Sequence, residues 1–351
     1  MTVGINYLRT QNAVVSMGPR GFRVETESDP TVRVPDVVMR CVGFIGEAMH
    51  EDSSGISGDL CATGFFIAAP YDSPELANKR MAYFVTAAHV AKDLSDKPIY
   101  FLVNKRGGGV VGFRSVWTTE WWVHPTDRAA DVCLIPVGQQ PDADIKGVAI
   151  KDFVTAEDIT SKRVGVGDET FITGLFTEAP GKSQNMPIVR HGNIAMLPEE
   201  QIQTDLGYAD VYLVEARSIG GISGSPVFVR ALDEGEESPA RGSVRGMKLL
   251  GLAHGHWDIK ESEINQASIV HDRKTGVNLG IGIVTPATKI LDILNSEANK
   301  ELRWAMEHKL THSKSIPAMD SAKPRKENAE EQPLTREDFE AALKKVSRKK
   351  A

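Results

Sequence analysis

The chain has 351 residues, 41% apolar and 25% charged, proportions ordinary for a soluble globular protein and sufficient for one large domain or two small ones. A net charge of −6 gives no overall attraction to nucleic acid or to an anionic membrane, and no apolar segment approaches transmembrane length. The three cysteines, Cys41, Cys61 and Cys133, each lie inside an apolar run. They are expected to be buried free thiols in a reducing compartment, with a Cys41–Cys61 bridge as the alternative. The first residues, Met1-Thr2-Val3-Gly4-Ile5-Asn6, lack a basic stretch followed by an apolar one, so no secretory signal is expected and the cytoplasm is the expected location.

Residues 1–35 mix Gly, Pro, Arg and Asp without periodicity and are expected to be a mobile or surface-draped extension. From Val37 onward, short apolar runs are separated by clusters of Gly, Pro, Asp and Ser, the pattern of an all-β protein. The first set comprises Val37–Ile45, Cys61–Ala69, Met81–Ala87, Ile99–Val103, Val110–Val116 and Asp131–Val137, with Tyr71–Arg80 as an insertion. The second comprises Gly165–Leu175, Ile188–Met196, Val211–Glu215, Pro226–Val229, Met247–Ala253 and Leu279–Val284. Thr285-Pro286 predicts a helix start, with Thr as N-cap and Pro at the first helical position. Ile290, Leu291, Ile293 and Leu294 then pack on the second set, and the pattern runs on toward Trp304 and Met306. The stretch from His312 to Pro333 has the composition of a disordered linker. Beyond it, Phe339, Ala342, Leu343 and Val346 recur at helical spacing and end in a basic cluster, either a solvated tail or a docking helix for a partner.

Three stretches carry chemistry. In Gly220-Gly221-Ile222-Ser223-Gly224-Ser225-Pro226 a serine stands between flexible residues, so backbone N–H groups of Gly221 and Ser223 can converge on one point beside its hydroxyl. A serine hydroxyl needs a base to take its proton, and the base needs a carboxylate to hold its tautomer. His89 ends the run Phe84-Val85-Thr86-Ala87-Ala88, and Asp131 opens the run Val132–Val137. Asp127 is the rival acid; Asp131 is preferred because it immediately precedes the apolar strand. His124 and His191 are read as loop histidines, and His50, His89 and His271 have no metal-ligand spacing, so neither a metal nor an organic cofactor is expected.

Thr86-Ala87-Ala88-His89, Asp131-Val132-Cys133-Leu134 and Gly221-Ile222-Ser223-Gly224-Ser225-Pro226 together resemble the signatures of trypsin-like (chymotrypsin-fold) serine peptidases, with the bacterial and high-temperature-requirement branches most similar, over about residues 36 to 295. The resemblance implies two six-stranded Greek-key β-barrels, residues 36–150 and 151–310, followed by residues 311–351 as linker and basic tail helix. It implies His89, Asp131 and Ser223 as the catalytic triad in the cleft between the barrels, an oxyanion hole from the amides of Gly221 and Ser223, and a protein or peptide substrate. The linker and tail are too short for the peptide-binding module of high-temperature-requirement proteases. Where relatives carry an aspartate that pairs with a freed N-terminus, this chain has Ile222, so activation by N-terminal cleavage is not expected. The segment Leu249–Trp257 is expected to wall the pocket for the residue before the cut bond. His254, Gly255 and His256, with Arg217, are its candidate contacts for an acidic or amide side chain. A binding or scaffold module that kept the fold is the alternative function, and hydrolysis of small esters a side activity.

Overall fold

Runs such as Phe65-Phe66-Ile67 and Tyr83-Phe84-Val85 are apolar at consecutive positions, a pattern that suits strands covered on both faces, and all six residues are buried. A computed structural model describes residues 14–18, 21–25, 34–52, 55–114, 120–138, 140–216, 221–231, 246–259 and 277–312. Within the N-terminal stretch, β1 (Val14–Gly18) and β2 (Gly21–Glu25) form an antiparallel hairpin where only an irregular extension was expected. The linker, the tail segment and Arg217 lie outside the described residues.

The first unit comprises β3 (Val42–Asp52), β4 (Gly55–Pro70), β5 (Arg80–Thr86), β6 (Ile99–Asn104), β7 (Val110–Phe113), β8 (Trp122–Val123) and β9 (Cys133–Pro136). Its strand order is β7-β6-β3-β4-β5-β9-β8, and a short β10 (Val148–Ala149) adds in parallel to β4. The second unit is a closed barrel. Around it run β11 (Glu169–Gly174), β12 (Ile188–Met196), β15 (Tyr212–Glu215), β18 (Val277–Pro286), β17 (Gly246–Ile259) and β16 (Pro226–Ala231); a separate hairpin of β13 (Ile202–Thr204) and β14 (Gly207–Ala209) projects from it. The fold is therefore mainly β in two units, as expected, and the first unit has more strands than the six anticipated because β8 and β10 are only two residues long.

Local chemistry explains where boundaries differ. Val37–Arg40 is part of a short helix, α1 (Asp36–Arg40), and not a strand, because Pro35 begins a turn in which the Val38 N–H donates to the Pro35 carbonyl at 3.0 Å. Short helices α2 (Ala88–Asp93) and α3 (Ala156–Thr160) also escaped the apolar pattern. Thr285 and Pro286 still belong to β18, opposite Leu252 and Gly251, so α4 begins at Ala287 and runs to Leu294 without a side-chain cap. A second helix, α5 (Glu297–His312), follows as a separate element, buries Leu302 and Met306, and leaves Trp304 exposed. The Tyr83 hydroxyl donates to Asn299 Oδ1 at 2.8 Å, which ties α5 to the first unit. Cys41 and Cys133 are buried, Cys61 is exposed against expectation, and all three are free.

The connection between the units is pinned at α3. Thr155 and Asp158 form a capping box, and the Asp158 carboxylate also receives Lys248 Nζ at 2.8 and 2.9 Å and Arg163 Nε at 3.0 Å. Two long cationic side chains thus cover a carboxylate that is wholly buried, and Lys248 links it to β17. Burial pushes this carboxyl up, but the bonds from Lys248, Thr155 and Arg163 outweigh it and bring the pKa down to about 2. A depressed carboxylate stabilises the fold above its unfolded pKa, and that contribution disappears as pH falls through the folded value. Asp158→Asn should therefore lose about 2–3 kcal/mol at pH 7 in urea unfolding, with the gap from the parent protein closing as the pH falls from about 4 toward 2.

Candidate active site

Ser223 sits in a turn between β15 and β16 that the rest of the structure grips from several sides. Gly221 has φ +90° and Gly224 φ +80°, left-handed conformations that favour glycine. Space at Gly224 is also closed: a Cβ there would strike the Thr86 hydroxyl and the Thr63 carbonyl. The Ser225 N–H closes the turn on the Ile222 carbonyl at 2.8 Å. Gly224 N–H donates to the Ala253 carbonyl, and Ala253 N–H to the Ser225 carbonyl, each at 2.8 Å, which ties the turn to β17. Ile222 is 2% exposed and packs with Val214, Val227 and Leu250, so the position expected to lack an ion pair is anchored by apolar contact.

The cross-link to the first unit is Thr63, a residue without functional assignment in the sequence. It is fully buried and uses all its polar groups. Its N–H donates to the Ser223 carbonyl at 3.1 Å, and its hydroxyl donates to the Gly221 carbonyl at 2.7 Å while accepting the Leu175 N–H at 2.8 Å. Its own carbonyl accepts the Thr86 hydroxyl at 2.7 Å. Thr86 lies three residues before His89 at the end of β5, so one buried threonine connects the serine turn, the end of β11 and the approach to the histidine.

His89 occupies the first turn of α2 and is bound twice by Asp131. Its Nδ1 lies 2.6 Å from Asp131 Oδ2, and its main-chain N–H donates to Oδ1 at 2.9 Å. The Asp131 side chain is wholly buried, that of His89 about one-third exposed. Burial pushes the Asp131 carboxyl up, but the His89 bonds and the nearby His254 outweigh it and hold it below the ordinary carboxylate range. The bond from Asp131 raises His89 above the usual histidine value, with burial opposing. The rival acid is used elsewhere: Asp127 binds Lys289 Nζ at 2.7 Å and accepts the Ala129 N–H at 3.0 Å. His124 accepts the Asp127 N–H at 2.9 Å through Nδ1 and faces Asp292 through Nε2 at 3.1 Å, while His191 on β12 approaches Glu169 at 3.8 Å.

Among the described residues, no group of three or more His, Cys, Asp or Glu could hold a metal ion. His254, a candidate pocket residue, approaches the buried acid. Its Nε2 lies 3.7 Å from Asp131 Oδ2, and the β17 register shifts between Ala253 and Gly255, where this residue sits. Among the described residues nothing lies within 4 Å of the position of a Cβ at Gly255, and the His256 backbone pairs opposite Gly282.

No protein-family model and no curated protein matches the sequence. Among solved structures, the chain is similar to the MamO protease domain from Magnetospirillum magneticum, at 16% identity over 74% of this chain and 99% of that one, TM-score 0.43. It is also similar to the HtrA-type protease AlgW with a decapeptide, at 13% identity over 76% and 63% of the two chains, TM-score 0.39. A third is the inactive form of the Rv3671c protease of M. tuberculosis, at 17% identity over 73% and 87%, TM-score 0.34.

The Thr63 contacts give a direct test. Thr63→Val keeps the shape but strands the buried Leu175 N–H and Gly221 carbonyl, and should cost about 2–4 kcal/mol in urea unfolding. The same measurement on Thr63→Ser, which keeps the hydroxyl, should recover most of that loss.

Proposed function

We propose that this chain is a serine endopeptidase that cuts peptide bonds through an acyl-enzyme. The observation that carries the proposal is the doubly bonded pair of His89 and buried Asp131, beside a serine turn clasped to the same strand ends through Thr63 and Thr86. Ser223 Oγ attacks the scissile carbonyl carbon, and its proton passes to His89 Nε2. The carbonyl oxygen takes the displaced electron pair and is held by the amides of Gly221 and Ser223. Collapse of this intermediate breaks the C–N bond, His89 returns the proton to the leaving amine, and an ester remains on Ser223. Water then attacks the ester by the same route and releases the acid. Asp131 keeps Nδ1 of His89 protonated and balances the transient imidazolium.

For the side chain before the cut bond, Arg217 and His256 are the remaining candidates for an acidic or amide preference, since His254 faces Asp131. Three free thiols suit a reducing compartment such as the cytoplasm.

A second reading is a trypsin-fold module that binds without cutting or that awaits a partner. Labelling with a fluorophosphonate probe separates the two. The parent protein should be labelled at pH 8, and Ser223→Ala should abolish labelling and lower cleavage of a denatured protein substrate by about 10⁴-fold or more. An unlabelled, folded parent protein would favour the binding module.

The titration of His89 supplies a further prediction. A protonated imidazole cannot accept the serine proton, so reactivity falls as pH drops through the raised His89 value. The midpoint of the labelling rate should lie above the ordinary histidine value of about 6.5, and Asp131→Asn should lower the plateau.

A further inference from the structure

Asp131 has two histidines, and only one of them is accounted for by proton transfer. His89 approaches from α2 in the first unit; His254 approaches from β17 in the second, with its ring centroid 6.1 Å from that of His89. The His254 side chain is 11% exposed, and its Nδ1 is buried without a hydrogen-bond partner among the described residues. Ala253, its immediate neighbour, is bonded to the serine turn through both its N–H and its carbonyl. The ring is thus placed by the same backbone that places Ser223.

The proton on His254 can be assigned from charge. A bare Nε2 would point a lone pair at an ionised oxygen 3.7 Å away, whereas an Nε2–H presents the positive end of its dipole. Nδ1 is then the unprotonated nitrogen. Protonating it would bury an N–H without an acceptor and set a second cation beside His89 whenever His89 is charged. Among the described residues, the charged groups acting here besides Asp131 and His89 are Asp205, in the turn between β13 and β14, on His254, and Asp93, at the end of α2, on His89. Burial holds His254 below the usual histidine range, with Asp131 opposing, while Asp131 holds His89 above it. Cys133, two residues beyond Asp131, stays a thiol because burial and that carboxylate both push it up.

We propose that His254 is a positioning residue, a neutral imidazole whose Nε2–H faces Asp131, draws charge from the oxygen shared with His89 and so restrains the basicity of His89. At 3.7 Å the contact is electrostatic, longer than a hydrogen bond. It couples the two units: any shift of β17 or of the serine turn alters the field on the carboxylate that governs the base. The catalytic consequence rests on the serine-peptidase reading, but the arrangement itself does not.

Imidazole NMR titration of the intact chain tests it without relying on turnover. In the parent protein His254 should be neutral at pH 7, with ¹⁵N shifts of the Nε2–H tautomer. A charged His254 at pH 7, or the Nδ1–H tautomer, would overturn the proposal. His254→Phe keeps the ring and removes the donor, so the His89 midpoint should rise by roughly half a pH unit or more. His254→Asn, which restores a donor, should bring it back; an unmoved His89 midpoint in a folded Phe variant would also overturn the proposal. If the Phe variant fails to fold, the tautomer measurement on the parent protein decides alone. Expected NMR behaviour in a protein that fluorophosphonate does not label would sink the peptidase reading and leave this assignment standing.

Discussion

The site depends on one buried threonine. Hydrogen-bond groups removed from water must find partners inside the protein, and Thr63 resolves four such demands at once. Its partners belong to the serine turn, to the end of β11 and to the strand that leads into His89. Because each bond is fully satisfied, the two units cannot slide past one another without stranding a buried polar group, at a cost of about 1–3 kcal/mol each. The relative position of a serine and a histidine 134 residues apart in the chain is thereby tied to the satisfaction of backbone amides.

Around this clasp, electrostatics divides labour between chemically similar groups. Two imidazoles share Asp131, yet one binds it through a short Nδ1 contact and remains partly exposed, while the other sits at longer range under heavier burial. Their titrations move in opposite directions for that reason. The same logic separates the acids. Asp131 is enclosed and serves a histidine; Asp127, four residues earlier, is spent on Lys289 beside α4. Burial and partner, not residue type, set each role.

Much of the architecture was legible because apolar runs bounded by turn residues leave a strand few alternatives. Ile188–Met196 has the bounds expected, and most other strands differ by a few residues. Elements failed to show where the signal was local or brief. The helix at Asp36–Arg40 follows from a proline-initiated turn that an apolar pattern conceals, and two-residue strands such as β8 and β10 carry no period at all. Thr285-Pro286 has the letters of a helix start, but the ladder with β17 keeps both residues extended. Tertiary pairing there overrides capping preference. The approach of His254 to Asp131 was not legible for a related reason: alternation along a strand gives two faces, and β17 carries a register shift between Ala253 and Gly255 that the residue pattern does not show.

By itself the sequence determined the class of fold and the two sets of strands, and it nominated a serine, a histidine and a preferred acid as candidates, because hydrophobic periodicity and the chemistry of a nucleophile with its base are written in residue types and their order. Only the tertiary structure decided which aspartate meets His89, that Thr63 holds the serine turn, and that His254 lies on the carboxylate. These are contacts between residues distant along the chain, and they are selected by which buried polar groups find partners once both units have packed.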